Sequence, residues 1–537
     1  MNRPLSSLRI LVVAFALLIL GVLIFWDFVF GNKVLLYKDV GSDSVNIFYP
    51  YYVLRSDYLR HVGMLSWSFQ LGMGQNLYPY LGSVLIAPVI WLAKGAIAKA
   101  LVYQHLLYVV ISGLLFARFL ADRGLTFASC LLGALLLSFS AYMCIGSCWY
   151  FHAYEVVCFT FLLFAAEQAV GRGYWLYLVL AVAVVSLLGA FHLYLCALLL
   201  CFYVPARLIE RFSWQPVPIL RVCATLAAAA ALGIGLSAIV SASSLYALLN
   251  SPRGSGIASK AGTLSSLLVF GLESPSHYIT AVLRPFANDL LGTGSDFRGW
   301  QNYLEAPLSY CGLICLVIFP QVFVGTRRHC RILYAVFLSV ILIPTLFPWF
   351  RYLFWGFQGD YYRDFSLFSI FGLVALSMTV FSRYSERRDL NFWVLGVTTL
   401  VLVGALYLPV SELQALINPR LRLAVTFFLI VYTTLLAIGQ IARRQGIAAW
   451  IILGIAAVEL VYLDRITVTD RPTVTKHELD ERVGYNDETI DAVRDINSGD
   501  HSFFRITKTW GSGPAICQSK RRSNIRLLRN ALLQFFQ

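Results

Sequence analysis

The sequence predicts an all-α polytopic membrane protein with about thirteen transmembrane helices and a small α+β domain after the last of them. Two observations carry that expectation. Of 537 residues, 59% are hydrophobic and only 13% charged, with a mean hydropathy of +0.71, more apolar surface than a water-soluble core can hide. Apolar runs of about 20 residues, enough to cross ~30 Å of hydrocarbon, also recur along most of the chain. They must be helical, because lipid satisfies no open backbone group, and the short alternating segments of a barrel are absent.

The first run, Ile10 to Phe30, follows Arg3 and Arg9 and has no small-residue cleavage site after it, so it reads as a retained span with a cytoplasmic N-terminus. Further spans are expected near 104–120, 126–146, 150–169, 174–190, 191–206, 222–246, 307–325, 332–348, 365–382, 391–409, 421–440 and 446–463. Leu81 to Ala98 reads as an interfacial helix, a re-entrant helix or one more span. The net charge of +14 sits in short clusters between spans, a topology signal rather than a nucleic-acid footprint. On the inner side they include Arg118 and Arg123, Arg172, Arg207 and Arg211, Arg327 and Arg328, Arg383 and Arg387, and Arg443 and Arg444.

Residues 1–463 then form the membrane domain, with outer connections at 31–80, 248–306 and 348–364, and 464–537 form an extracytoplasmic tail. In the tail, ITVT and PTVT are strand-like. A helix capped by Asn486 or Asp487 is expected to carry Ile490, Val493 and Ile496 and stop near Gly499, before a strand over SFFRITKTW. The eleven cysteines show no disulfide or zinc pattern. Cys196, Cys201 and Cys223 read as small buried hydrophobes, and Cys144 and Cys148 are expected to stay unpaired.

Chemistry belongs where polar loops meet the bundle. The first outer loop carries Asp39 and Asp43, an aromatic run from Phe48 to Tyr52, and an amphipathic stretch setting Val53, Leu54, Tyr58 and Leu59 against Arg55, Asp57 and Arg60. A carboxylate at the membrane surface beside elements that dock a lipid is placed to take a proton from an acceptor hydroxyl. The simpler reading is a pair of solvated loop residues.

Asp43, Phe48 to Tyr51, Trp67, Gly72 and Gly74, Tyr78 to Tyr80 and Pro88 together resemble the first outer loop of the YfhO family of bacterial membrane proteins. The resemblance extends to Asn302, Tyr303, Glu305, Tyr310 and Gly312, to GFQGDYYRDFSLF from Gly356, to Glu459, and to FFRITK from Phe503. Asn46, Ile47 and Phe48 stand where the family often has Gln-Tyr. The resemblance implies a GT-C-like glycosyltransferase in the cytoplasmic membrane, moving a sugar from a polyprenyl-phosphate donor to a cell-envelope glycan or lipid on the outer side. It makes Asp43 the expected base, with Asp39 as the fallback. Departure of the lipid phosphate needs a cation, for which a guanidinium fork is suited. Arg363 leads, followed by Arg351 and Arg284, for which snorkelling or a carboxylate partner is the stronger reading.

No cofactor is expected. Glu273, His277, Asp289 and Asp296 share one loop without a metal-ligand spacing. His152 and His192 read as buried, hydrogen-bonded residues. Glu155, Glu167 and Glu459 fall in or near spans, where a charge needs a partner or marks a pathway; a lipid or polysaccharide transporter is the rival class. The closing KRRSNIRLLRNALLQFFQ is basic after an acidic tail. Back-translated with permitted codons and read one base later, it gives NDAAIYGYYGTLFYSFF, similar to the family's tail. A frame shift near Lys520 is therefore one expectation, and a lipid-binding basic end the other.

Overall fold

A computed structural model describes residues 5–39, 43–63, 66–69, 74–78, 81–213, 215–251, 264, 267–357, 359–408, 416–480 and 495–499. Among them, ten helices are long and apolar enough to cross a membrane. They are α1 (Ser7–Ile24), α3 (Lys94–Asp122), the broken Phe127–Cys148 that begins with α4 (Phe127–Ser138), α5 (Tyr150–Arg172), α7 (Ala190–Phe212), α8 (Pro216–Leu249), α11 (Arg328–Leu346), α12 (Arg363–Ser385), α14 (Pro419–Ile441) and α15 (Gln445–Thr469). Three shorter apolar helices stand where the sequence led us to expect spans: α6 (Leu176–Leu187), a segment Leu313–Phe323 opening with α10 (Leu313–Ile318), and α13 (Phe392–Leu406).

Local signals set the boundaries. Ser6 caps α1 by accepting from the Arg9 N–H, and Asn418 caps α14 at its Arg420 and Leu421 N–H groups, each filling a donor the helix leaves open. Gly173 ends α5 in the left-handed region at φ 76°, which glycine adopts without a Cβ penalty. Pro88 stops the apolar stretch Leu81–Ala98 from forming one helix: Leu81–Ile86 is followed by a 3₁₀ turn, Pro88–Trp91, and α3 starts at Lys94. The span expected at 104–120 therefore begins ten residues earlier.

The arginine clusters meet at one end of the bundle. There Arg172 and Arg118 pair with Asp122, Arg123 with Glu210 at 3.0 Å, and Arg207 with both oxygens of Glu167 at 2.7 Å. Glu167 has thus found its partner. At the opposite, loop end, β1 (Lys33–Tyr37) leaves α1 and pairs antiparallel with β4 (Thr473–Thr475), Lys33 opposite Thr475 and Tyr37 opposite Thr473. The segment after α15 is tied down further by Lys38 with Glu478 at 2.6 Å and Lys99 with Asp480 at 2.9 Å. α2 (Tyr49–His61) follows the first loop, and β2 (Trp67–Ser68) pairs with β3 (Gln75–Asn76). Gly74 is required in that hairpin: at φ +109° its Cβ would sit 2.7 Å from the Trp67 ring nitrogen.

Several expectations change. ITVT is the end of α15, not a strand, because Thr467 returns its hydroxyl to the Leu463 carbonyl and buries among neighbouring helices. The helix also runs through the boundary set at 463, and Asp464 is a buried bundle residue. PTVT does supply β4. In α2 the expected stripe packs, with Leu54 buried and Val53, Tyr58 and Leu59 against the core, but Arg55, expected on the polar side, is buried too and turns inward over the Tyr51 ring. Gly72, the Asn486 or Asp487 cap, the 502–510 strand and the altered frame lie outside the described residues.

Candidate functional site at the loop end

β1 ends at Tyr37, whose N–H donates to the Ser44 hydroxyl at 2.7 Å. That bond ties the end of the strand to the start of the helical turn Ser44–Phe48, with Asp39 following the strand and Asp43 directly preceding the turn. Their surroundings then differ sharply.

Asp39 is locked. Arg471, just beyond α15, donates from Nε to its Oδ2 at 3.0 Å and from Nη2 to its Oδ1 at 3.3 Å. Tyr303 donates its hydroxyl to Asp39 Oδ1 at 2.9 Å, and Arg471 Nη2 reaches the same hydroxyl at 2.5 Å. The guanidinium also lies 3.8 Å from the Tyr37 ring centroid. Burial among these groups pushes the Tyr303 and Tyr37 hydroxyls well up, so both remain donors.

Asp43 is half-buried and makes no side-chain capping bond to the helical turn it precedes. Burial raises its pKa, and the nearby Arg363 guanidinium partly offsets that rise. Arg363, the first residue of α12, is held between the rings of Trp149, Trp355 and Tyr361, with centroids at 4.6, 4.4 and 4.9 Å. Its Nε donates to Glu305 Oε2 at 2.8 Å and its Nη2 to Glu305 Oε1. Nη1 forms no hydrogen bond among the described residues. Burial raises the Glu305 carboxyl, with Arg363 opposing. The result is a fixed guanidinium near a carboxylate that forms no ion pair among the described residues.

The other two arginines are consumed internally. Arg284 donates to the backbone carbonyls of Pro307, Asn288 and Tyr303 at 2.9, 2.9 and 2.8 Å, fastening the long loop, and burial lowers its pKa to about 10. Arg351 is fully buried, pairs with Glu273 and Asp360, and satisfies the Pro344 carbonyl at the end of α11. Both were expected as phosphate ligands of second rank. Neither has a free edge turned to solvent, since a buried guanidinium needs all its donors used.

His277 is wedged between Tyr362, 2.7 Å away, and Arg351, and desolvation lowers its pKa to about 3. Glu273 serves Arg351 while Asp289 and Asp296 lie on a separate cavity, and among the described residues no three His, Cys, Asp or Glu side chains gather as metal ligands. His192 bonds Glu155 at 2.8 Å, and Tyr142 donates to Glu155 at 2.8 Å with Asp364 3.4 Å away. Glu459 accepts from Tyr310 at 2.7 Å and from the Leu313 N–H at 2.8 Å. His152 is buried as expected, but among the described residues neither ring nitrogen has a hydrogen-bond partner, and the ring stacks on Tyr142. The described cysteines, Cys144 and Cys148 among them, are free thiols.

An apolar cavity of ≈ 300 Å³ lies between α7, α11 and α12, with Arg123, Arg207 and Glu210 also in its wall. Phe354 and Phe365 stand at its loop end, Phe202, Phe337 and Phe368 along it, and Arg123 at the far end. Sequence reasoning missed Arg471, Trp149 and Trp355. Arg471 had one available signal, an arginine directly between the last span and a strand-like run.

Two crystal structures of ArnT from Cupriavidus metallidurans are similar to this chain. The one bound to undecaprenyl phosphate matches at TM-score 0.45 and 12% identity over 99% of this chain and 85% of its own. The apo state matches at 0.44 and 12% over 98% and 84%. No curated protein matches the sequence. With ten candidate membrane-crossing helices, a charged site at the loop end, and a match over residues 11–512 to the family described as bacterial membrane protein YfhO, this multi-pass membrane protein belongs to the YfhO family.

Proposed function

We propose that the protein is a membrane glycosyltransferase that moves a sugar from a polyprenyl-phosphate donor to a cell-envelope polymer or lipid on the outer side of the cytoplasmic membrane. One observation carries the reading: Asp43, a carboxylate without an ion pair among the described residues, lies in the field of Arg363, the first residue of α12, and α12 goes on to line an apolar cavity. A phosphate with a long hydrocarbon tail is the ligand that matches both a guanidinium and the slot of phenylalanines along the same helix.

In this reading the donor phosphate meets Arg363 Nη1 and its tail follows the cavity. Asp43 takes the proton of the acceptor hydroxyl as that oxygen attacks the anomeric carbon. The bond from that carbon to the phosphate oxygen breaks, and the electron pair leaves with the polyprenyl phosphate, where Arg363 stabilises the added charge. A single displacement inverts the anomeric centre. The helical bundle and its loops house this chemistry, and the gathering of the arginine clusters at the other end supports a loop end that faces outward. Glycan transfer in proteoliposomes holding the full chain and a polyprenyl-phosphate sugar tests it: Asp43→Asn should abolish product while the protein still inserts. Undiminished transfer by that variant sinks the assignment.

A further inference from the structure

In the long connection between α8 and α10, residues 267–272 read Leu-Leu-Val-Phe-Gly-Leu, with no polar side chain among them. Leu268 is 80% exposed, Phe270 70% and Leu272 75%, and Leu267 and Val269 are exposed beside them. The Gly271 N–H donates to the Leu268 carbonyl at 3.0 Å, which closes a turn with Val269 and Phe270 at its tip. A solvated loop is polar, whereas an unbroken apolar patch marks a surface that something covers.

The turn is held at one level, the loop end of α11. The Phe270 ring lies 5.4 Å from that of Phe347 and 6.0 Å from that of Phe350, just past the last residue of the helix. At the root of the turn the Glu273 N–H donates to the Tyr278 hydroxyl at 2.9 Å, and that hydroxyl donates to the Leu346 carbonyl at 2.8 Å, a carbonyl that the end of a helix leaves open. Tyr278 belongs to α9 (Pro275–Leu283), and the Glu273 side chain pairs with Arg351. What covers the turn follows from α11 itself. Ile332, Val336, Leu342, Ile343 and Leu346 are 40–54% exposed, so the helix shows apolar side chains to lipid up to its last residue. The turn continues that surface beyond the helix, and Tyr278 and Trp349 stand beside it as aromatic residues do at a membrane boundary. The acyl chains that cover α11 are therefore its adjoining neighbours. An irregular backbone cannot follow them far, because lipid satisfies no open backbone group.

We propose that residues 267–272 form a finger that lays its side chains into the upper acyl layer of the leaflet at the loop end, with its backbone at headgroup level, and so anchors the 248–306 connection to the bilayer. The finger is independent of the transferase reading, since the apolar turn and its seat on α11 carry it alone.

Nitroxide labels on the full chain in phosphatidylglycerol–phosphatidylethanolamine vesicles test it. Leu268→Cys and Leu272→Cys are labelled one at a time in a background of Cys201→Ser, Cys223→Ser, Cys330→Ser and Cys517→Ser, with Ser295→Cys, at an exposed polar position of the same connection, as the control. Oxygen concentrates among acyl chains and a nickel chelate stays in water. The ratio of oxygen to nickel collisions at 268 and 272 should exceed that at 295 about tenfold, because an interfacial apolar segment reaches roughly 5–10 Å into the headgroup and acyl boundary. A ratio at both positions no higher than at 295 puts the turn in water and overturns the assignment. Spin–spin broadening between labels at 268 puts it against a second copy of the chain and overturns it as well.

Discussion

Arg471 and Asp39, 432 residues apart in sequence, form an ion pair with side chains 1% and 0% exposed, Nε to Oδ2 at 3.0 Å. The pair joins the end of the last membrane helix to the loop after the first, beside the β1–β4 ladder. It makes Asp39 a structural tie, whereas Asp43, the proposed base, makes no ion pair among the described residues.

Removing one partner of a buried pair leaves the other charge without compensation, a loss of about 3–5 kcal/mol. Asp39→Asn should therefore lower the thermal midpoint in detergent, and activity should fall with it. Adding Arg471→Met to that variant should recover much of the lost stability, which a double-mutant cycle would register as coupling. Additive losses would mean the pair is not formed.

Asp43→Asn should behave in the opposite way. A general base contributes about 10²–10⁴-fold, so transfer should drop by that factor, while the unfolding free energy stays within about 0.5 kcal/mol of the parent because no pairing is lost. Calorimetry and turnover on one preparation separate the two aspartates.

The pH profile carries a sign. Asp43 must be a carboxylate to act, and burial raises its pKa, so activity should fall as pH drops through a value above the ordinary aspartate range. Glu305→Gln removes the charge that neutralises Arg363. The guanidinium then acts on Asp43 more strongly, its pKa falls, and the acid limb of kcat/KM should move to lower pH. A shift to higher pH would contradict the placement of these three charges.

Arg363→Lys keeps the charge and loses the planar fork with Glu305 and the contacts to three rings. Point charge alone does not replace that geometry, and kcat/KM for the polyprenyl donor should fall about 10–100-fold. Kinetics indistinguishable from the parent would remove Arg363 from the phosphate site.

Ser369 lies on α12 within the apolar cavity. Ser369→Phe should fill the space the tail needs, raising KM about tenfold for a long-chain donor and leaving a donor with a two-isoprene tail unaffected. Equal effects on both donors would show that the tail lies elsewhere.

The sequence by itself determined the solvent of this protein. Apolar runs of membrane length, broken by arginine clusters, specify a helical bundle with one basic end, because hydropathy and charge are properties of local stretches. It also named Asp43 and Arg363, through loop motifs that resemble a family. Tertiary structure decided what each charge touches. Arg284 and Arg351 ranked behind Arg363 in the linear chain, and packing turned the first onto backbone carbonyls and the second onto a carbonyl and two half-buried carboxylates, while Arg363 Nη1 makes no hydrogen bond among the described residues. ITVT has the β-branched residues of a strand, yet the surrounding helices hold it helical. The partner of Asp39 could not be read locally, since a buried charge is matched by whichever distant residue the fold brings within hydrogen-bonding reach.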